Sequence, residues 1–176
     1  IVDTGSTDKT KEIASLYTNK IYDFPWINDF AAARNFSFSK ATKDYIMWLD
    51  ADDVLLYEDN KKLEQLKENL DVSVDMVIMR YNMSFDKDDK PTYSFNRERL
   101  LKRSCNYTWS GQVHEAIDYF GNIIYSSIGV SHKKIKETPI DRNLKIYEYI
   151  LSQGKKLQPR EEFYYGRELM YNNRFD

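Results

Sequence analysis

Tyr45-Ile46-Met47-Trp48-Leu49 is a near-continuous apolar run that stops abruptly on Asp50-Ala51-Asp52-Asp53. A short apolar run of this kind, bounded by charge, reads as a strand buried in a parallel sheet. The segments around it alternate in the same sense. Ile1–Asp3 is strand-like, and 4–8 is a turn of small polar residues. Residues 9–19 place Ile13, Leu16 and Tyr17 at helical spacing. Residues 21–24 form a short strand stopped by Pro25, and a helix over 30–41 follows with Asn28 or Asp29 as its cap. A further helix over 61–70 carries Leu63, Leu66 and Leu70 on one face. Strand–helix alternation of this kind predicts an α/β fold. In such sheets ligands bind beyond the carboxyl ends of the strands. The Asp3 turn and the Asp50 cluster both fall at such ends.

Three carboxylates within four residues repel one another, and a divalent cation relieves that repulsion. Mg²⁺ and Mn²⁺ prefer hard oxygen ligands, often shared between protein carboxylates and a substrate diphosphate. If the strand geometry continues, Asp50 and Asp52 lie on the same side. One then holds the metal and the other a ribose hydroxyl. Taken alone, the cluster fits equally a solvated acidic turn that caps the next helix.

Thr4-Gly5-Ser6-Thr7-Asp8 can approach a nucleotide closely, as a glycine turn opening a helix does, and it also fits an ordinary capped turn. A phosphate loop with its lysine is absent, which disfavours a P-loop nucleoside triphosphatase. After residue 70 the pattern changes to a strand at 75–81, the polar turn 86–91, a hairpin partner at 92–102, and further strands at 123–125 and 128–131. Both histidines, His114 and His132, fall in this region. Glu115, next to His114, has the chemistry of a general base toward an acceptor nucleophile, and His132 that of a metal ligand. A lone histidine is more often structural. Arg97, Arg99 and Arg103 fit solvated strand positions, or one of them neutralises a diphosphate.

With 26 basic and 28 acidic residues the net charge is −2, which gives no electrostatic case for nucleic-acid binding. No apolar run reaches the length of a membrane span. A single Cys105 excludes an internal disulfide framework, and a reducing, cytoplasmic setting is the simpler reading. Aromatic residues make up 15%, enough to line a groove that stacks on bases and sugar rings. The chain starts at Ile1-Val2-Asp3 without Met, like the end of a strand entering a turn, so an N-terminal strand and helix are expected to be missing. From Asp141 onward two short amphipathic helices are expected, separated by Pro159, like the opening of a helical-repeat array.

Four strings occur in order: Ile-Val-Asp-Thr-Gly-Ser-Thr-Asp (1–8), Asp-Phe-Ala-Ala-Ala-Arg-Asn (29–35), Trp-Leu-Asp-Ala-Asp-Asp (48–53) and Gly-Gln-Val-His-Glu (111–115). Together they resemble the family 2 inverting glycosyltransferases of GT-A fold, over about residues 1–135. Within that family the chain is most similar to the subgroup that joins this domain to tetratricopeptide-like helices. Its members act on peptide, flagellin or surface-glycan acceptors and include peptide S-glycosyltransferases of bacteriocin systems.

The resemblance implies a GT-A domain over 1–138, lacking its first strand. A helical linker and the start of a tetratricopeptide-like repeat would follow over 139–176. It implies transfer of a sugar from a nucleotide-sugar donor, a UDP-sugar, with inversion and with Mn²⁺ or Mg²⁺. The acceptor would be a glycan, a lipid-linked sugar or a peptide, and the setting cytoplasmic or the inner face of the membrane. Asp3, Thr4 and Gly5 would sit at the base, Asp29, Arg34 and Asn35 near the nucleoside, and Asp50 and Ala51 at the ribose. Arg97 would face the diphosphate. Asp52 and His132 would bind the metal. Glu115 would be the catalytic base, with His114 beside it on donor or acceptor. Many members carry a second Asp where Thr4 stands, and Glu-Asp where this chain has His114-Glu115. The alternative is a non-catalytic nucleotide-sugar or protein-binding module on the same fold.

Overall fold

The computed structural model describes residues 1–133 and 139–175. It contains strands and helices in mixed α/β order, ending in two helices, as the sequence implies. The chain divides into two compact units that interleave along the sequence. Of the described residues, one unit draws on 1–41, 108–117 and 139–175, the other on 42–107 and 118–133.

In the first unit, β1 (Val2–Asp3) and β2 (Tyr22–Asp23) pair in parallel around α1 (Thr10–Ser15). Helix α1 is shorter than expected and buries no residue; Leu16 and Tyr17 lie on the surface. Helix α2 (Phe30–Ser39) starts at Asp29, whose carboxylate accepts from the Ala32 amide at 2.8 Å. It packs beside the small hairpin of β7 (Trp109–Ser110) and β8 (Ala116–Ile117). Helices α4 (Arg142–Ser152) and α5 (Pro159–Tyr171) form a pair. Proline at the first turn and a reciprocal Gln158–Glu161 capping box start α5. Val113 packs with Ile146, Tyr147 and Ile150 of α4, and Tyr164 and Tyr165 of α5 close that core.

The second unit is a five-stranded sheet in the order β3-β6-β5-β9-β4. Its strands are β3 (Tyr45–Met47), β4 (Asp53–Leu55), β5 (Met76–Phe85), β6 (Pro91–Lys102) and β9 (Ile123–His132). Only β5 and β9 run parallel; the other pairs are antiparallel. Helix α3 (Tyr57–Asn69) covers one face, with Leu63, Leu66 and Leu70 against Val74, Val77, Met79, Leu100 and Ile128.

Three expectations change here. The Tyr45–Leu49 run is an edge strand of three residues paired antiparallel to β6, not a buried strand of a parallel sheet. The central, solvent-free strand is Met76–Met79, because the long β5–β6 hairpin supplies the middle of the sheet. The strand also does not continue through the acidic cluster. The chain turns at Ala51–Asp52 and re-enters the sheet at Asp53, so the alternation that would align Asp50 with Asp52 is lost. Residues 123–125 and 128–131 are one strand with a register shift rather than two.

Candidate functional site

Asp53 opens β4 and is the ladder partner of His132, the last residue of β9. Antiparallel register therefore brings together two residues 79 positions apart. His132 Nδ1 lies 3.3 Å from Asp53 Oδ1 and 3.4 Å from Asp52 Oδ1. Asp52, Asp53 and His132 offer one ligand atom each, all within 4.8 Å of one another. The two carboxylates offer hard oxygens to a divalent cation, and the imidazole adds a nitrogen ligand. The Asp52 side chain is 37% exposed and that of Asp53 0%, so the set has a wet side and a dry side.

The dry side is built from residues the sequence reading did not single out for this place. The Tyr81 hydroxyl donates to Asp53 Oδ1 at 2.9 Å and lies 3.0 Å from His132 Nδ1. Burial, then the adjacent Asp53 carboxylate, pushes the Tyr81 phenol far up, so it stays protonated. Arg99 Nη1 donates to Asp53 Oδ2 at 2.8 Å and to the Trp48 carbonyl at 3.2 Å. Its guanidinium lies 3.7 Å from the Trp48 ring centre and 4.3 Å from that of Tyr81. Among the described residues, Nε and Nη2 have no hydrogen-bond acceptor, and the two ring faces take that place. Asp50 stands in the same turn, its amide donating to Asp53 Oδ2 at 3.0 Å, while Ala51 is exposed. Arg97 forks onto buried Glu98 at 2.9–3.3 Å, and the Tyr119 hydroxyl donates to the same carboxylate.

The remaining expected site residues lie in the first unit. The Asp3 carboxylate accepts from the Gly5 and Ser6 amides at 3.1 and 3.0 Å and so shapes its own turn. Gly5 takes φ +115°, which a side chain would strain, and Thr4 beside it is exposed. The 29–35 segment grips the 109–115 segment. Phe30 N donates to the Gln112 carbonyl at 2.9 Å, and the Asn35 amide bonds both the N–H and C=O of Trp109 at 2.8 and 2.9 Å. Arg34 Nε donates to Glu115 Oε1 at 2.6 Å, its guanidinium 4.8 Å from the Trp109 ring. His114 takes φ +52° and is hydrogen-bonded to Glu168 of α5. Tyr81 and Glu168 have no expected site role, and Arg99, expected at a solvated strand position or on a diphosphate, is instead fully buried and paired with Asp53. Glu168 had a readable signal, since it falls four residues after Tyr164 on the buried face of its helix.

The family model for glycosyl transferase family 2 matches residues 1–128. This chain belongs to that family. SunS, the SPbeta prophage-derived glycosyltransferase of Bacillus subtilis, is 27% identical over 96% of this chain and 42% of its own length. A TPR repeat-containing protein of Synechococcus elongatus is 45% identical over 58 residues, 33% of this chain and 14% of its own. The chain thus spans less than half the length of these two curated relatives. The solved structure of residues 1–349 of TarS from S. aureus with UDP-GlcNAc aligns over 99% of this chain and 63% of its own. Its TM-score is 0.45, at 13% identity. Among the described residues, no helix of this family 2 chain is long and apolar enough to cross a membrane.

Proposed function

We propose that the protein transfers a sugar from a nucleoside diphosphate donor, a UDP-sugar, to a nucleophilic acceptor with inversion. The observation that carries this reading is the Asp52–Asp53–His132 set at the paired ends of β4 and β9. Asp52 and His132 are the proposed metal ligands, with Asp53 joining them. A divalent cation bound there would offset the negative charge that the diphosphate gains on leaving. Arg99 and Tyr81 hold the Asp53 carboxylate in one orientation, so the ligands are placed before any donor arrives. Asp50 and Ala51, in the turn beside them, are assigned to the ribose, and Asp3, Thr4 and Gly5 to the base.

Glu115 is the proposed base. It takes the proton of the acceptor hydroxyl, thiol or amine as that atom bonds to the anomeric carbon, and the bond from that carbon to the diphosphate oxygen breaks on the opposite face. Arg34 fixes the carboxylate by its 2.6 Å contact with Oε1. A glycan, a lipid-linked sugar or a peptide side chain supplies the acceptor atom. We assign the reaction to the cytoplasmic side, where the one free thiol, Cys105, stays reduced.

The reading is tested by a thermal-shift screen of UDP-, GDP- and TDP-sugars with and without Mn²⁺, followed by assay of nucleotide release. A ligand that binds the native state raises the midpoint. Glu115→Gln should lower kcat by roughly 10²–10⁴-fold with donor binding intact. A Mn²⁺-dependent shift without any turnover would instead mark a nucleotide-sugar-binding module.

A further inference from the structure

Glu168 sits on the side of α5 that faces the core of its unit and is 5% exposed. A carboxylate there is costly unless it is hydrogen-bonded. His114 Nε2 donates to Oε1 at 2.8 Å, and Asn143 Nδ2 of α4 donates to the same oxygen at 3.2 Å. The His114 ring stacks on Tyr164, centroids 4.1 Å apart and planes 16° apart, and Arg160 Nη2 reaches the His114 carbonyl at 3.3 Å.

Those contacts meet a backbone that would not hold its shape unaided. His114 lies in the left-handed region at φ +52°, and Gly111, three residues earlier, is at φ +90°. A non-glycine residue persists there only where its surroundings over-determine it. Here the surroundings are α4 and α5. Val113 is buried against α4, His114 is clamped on α5, and Glu115 follows directly onto Arg34.

We propose that Glu168 is a positioning residue which, through His114, fixes the Gly111–Glu115 backbone and so aims the Glu115 carboxylate. The inference rests on Glu115 being the base. It makes the α4–α5 pair a working part of the catalytic loop and gives His114 the task of linking the two.

Glu168→Gln keeps an acceptor for the His114 N–H, and Glu168→Ala removes it. Both variants, the wild type and Glu115→Gln are assayed for UDP release from UDP-GlcNAc with Mn²⁺, water serving as acceptor. In parallel, ¹⁵N spectra report the His114 ring and the Gly111–Glu115 amides. Glu168→Ala should lower kcat about tenfold with donor KM within about twofold, and Glu168→Gln should recover kcat to within about threefold of wild type. A Glu168→Ala kcat equal to wild type, a loss confined to KM, or a Glu168→Gln variant as impaired as Glu168→Ala would overturn the proposal. If the wild type and Glu115→Gln release UDP equally, the assignment of the base fails on its own account. The spectra then decide: Glu168→Ala must shift the His114 ring nitrogen and the Gly111 and Glu115 amides, and unmoved signals refute the positioning role.

Discussion

Arg99 and Asp53 form an ion pair at 2.8 Å in which neither side chain is exposed to solvent. Removing one partner of such a pair strands the other charge, at a cost of about 3–5 kcal/mol. Arg99→Met should therefore lower the thermal midpoint by roughly 6–20 °C, at about 2–4 °C per kcal/mol for a chain of this size. Adding Asp53→Asn should return part of that loss, since the stranded charge is gone. A double variant whose loss equals the sum of the singles would show that the two side chains are not coupled.

Asp52 and Asp53 should separate metal binding from folding. Asp52 lies at the exposed side of the set and Asp53 at its buried root. Asp52→Asn should weaken Mn²⁺ binding at least about tenfold while stability changes by less than about 0.5 kcal/mol, as for most surface substitutions. Asp53→Asn should damage both. Calorimetric Mn²⁺ titration with thermal melting decides it, and an Asp52→Asn protein with wild-type Mn²⁺ affinity removes Asp52 from the ligand set.

Asn35 satisfies both peptide groups of Trp109, whose own side chain is almost wholly buried. Asn35→Ala leaves both without a side-chain partner and should cost about 1–3 kcal/mol in chemical denaturation. Asn35→Asp keeps the acceptor for the Trp109 N–H but sets a carboxylate oxygen against the Trp109 carbonyl. It should be no better than alanine.

Asp3 gives a pH signature. The Ser6 hydroxyl, and then the Ser6 and Gly5 amides, favour its carboxylate against the opposing effect of burial, holding its pKa below the ordinary 3.8. A group with a depressed folded pKa contributes its stability fully above the ordinary value and loses it as pH falls through the folded one. Melting curves of Asp3→Asn should therefore lose less than wild type between about pH 5 and pH 2. Some acid sensitivity should remain, because the Ser73 amide lowers Asp71 and the Asn122 amide lowers Asp75 in the same way. Parallel curves for the two proteins would place Asp3 outside the acid response.

Much of the fold follows from local pattern. The β5–β6 hairpin around the 86–91 turn and the two C-terminal helices stand where periodicity and capping put them, and helix α3 keeps its leucine face but begins at Tyr57, four residues before the expected 61. The Tyr45 run misleads because apolar length alone reports neither burial nor which neighbour a strand pairs with: of its five residues only Trp48 is buried, and Leu49 is exposed. Trp48 is buried, yet it serves the sheet edge and the Arg99 sandwich. In the candidate site the acidic residues and His132 are visible as residue types. Their meeting depends on β4 pairing with β9, a non-local choice with no local signal. Arg99 reads as a solvated strand arginine because its partners, Trp48, Tyr81 and Asp53, come from three other strands or turns. Glu168 was open to detection as an acid on an apolar helix face, but only the fold identifies His114 as its counterpart.

The Asp53–His132 ladder pair carries a consequence for how such a chain can change over generations. The spacing of the two side chains is set by hydrogen-bond register between neighbouring strands and not by the length of chain between them. The Asp86–Pro91 turn lies at the same end of the sheet and reaches this corner through Asp89, which Lys133, next to His132, contacts at 2.8 Å. Strand register thus keeps the two side chains together, while changes at the hairpin tip reach the corner only through Lys133, whose amide bonds the Asp52 carbonyl.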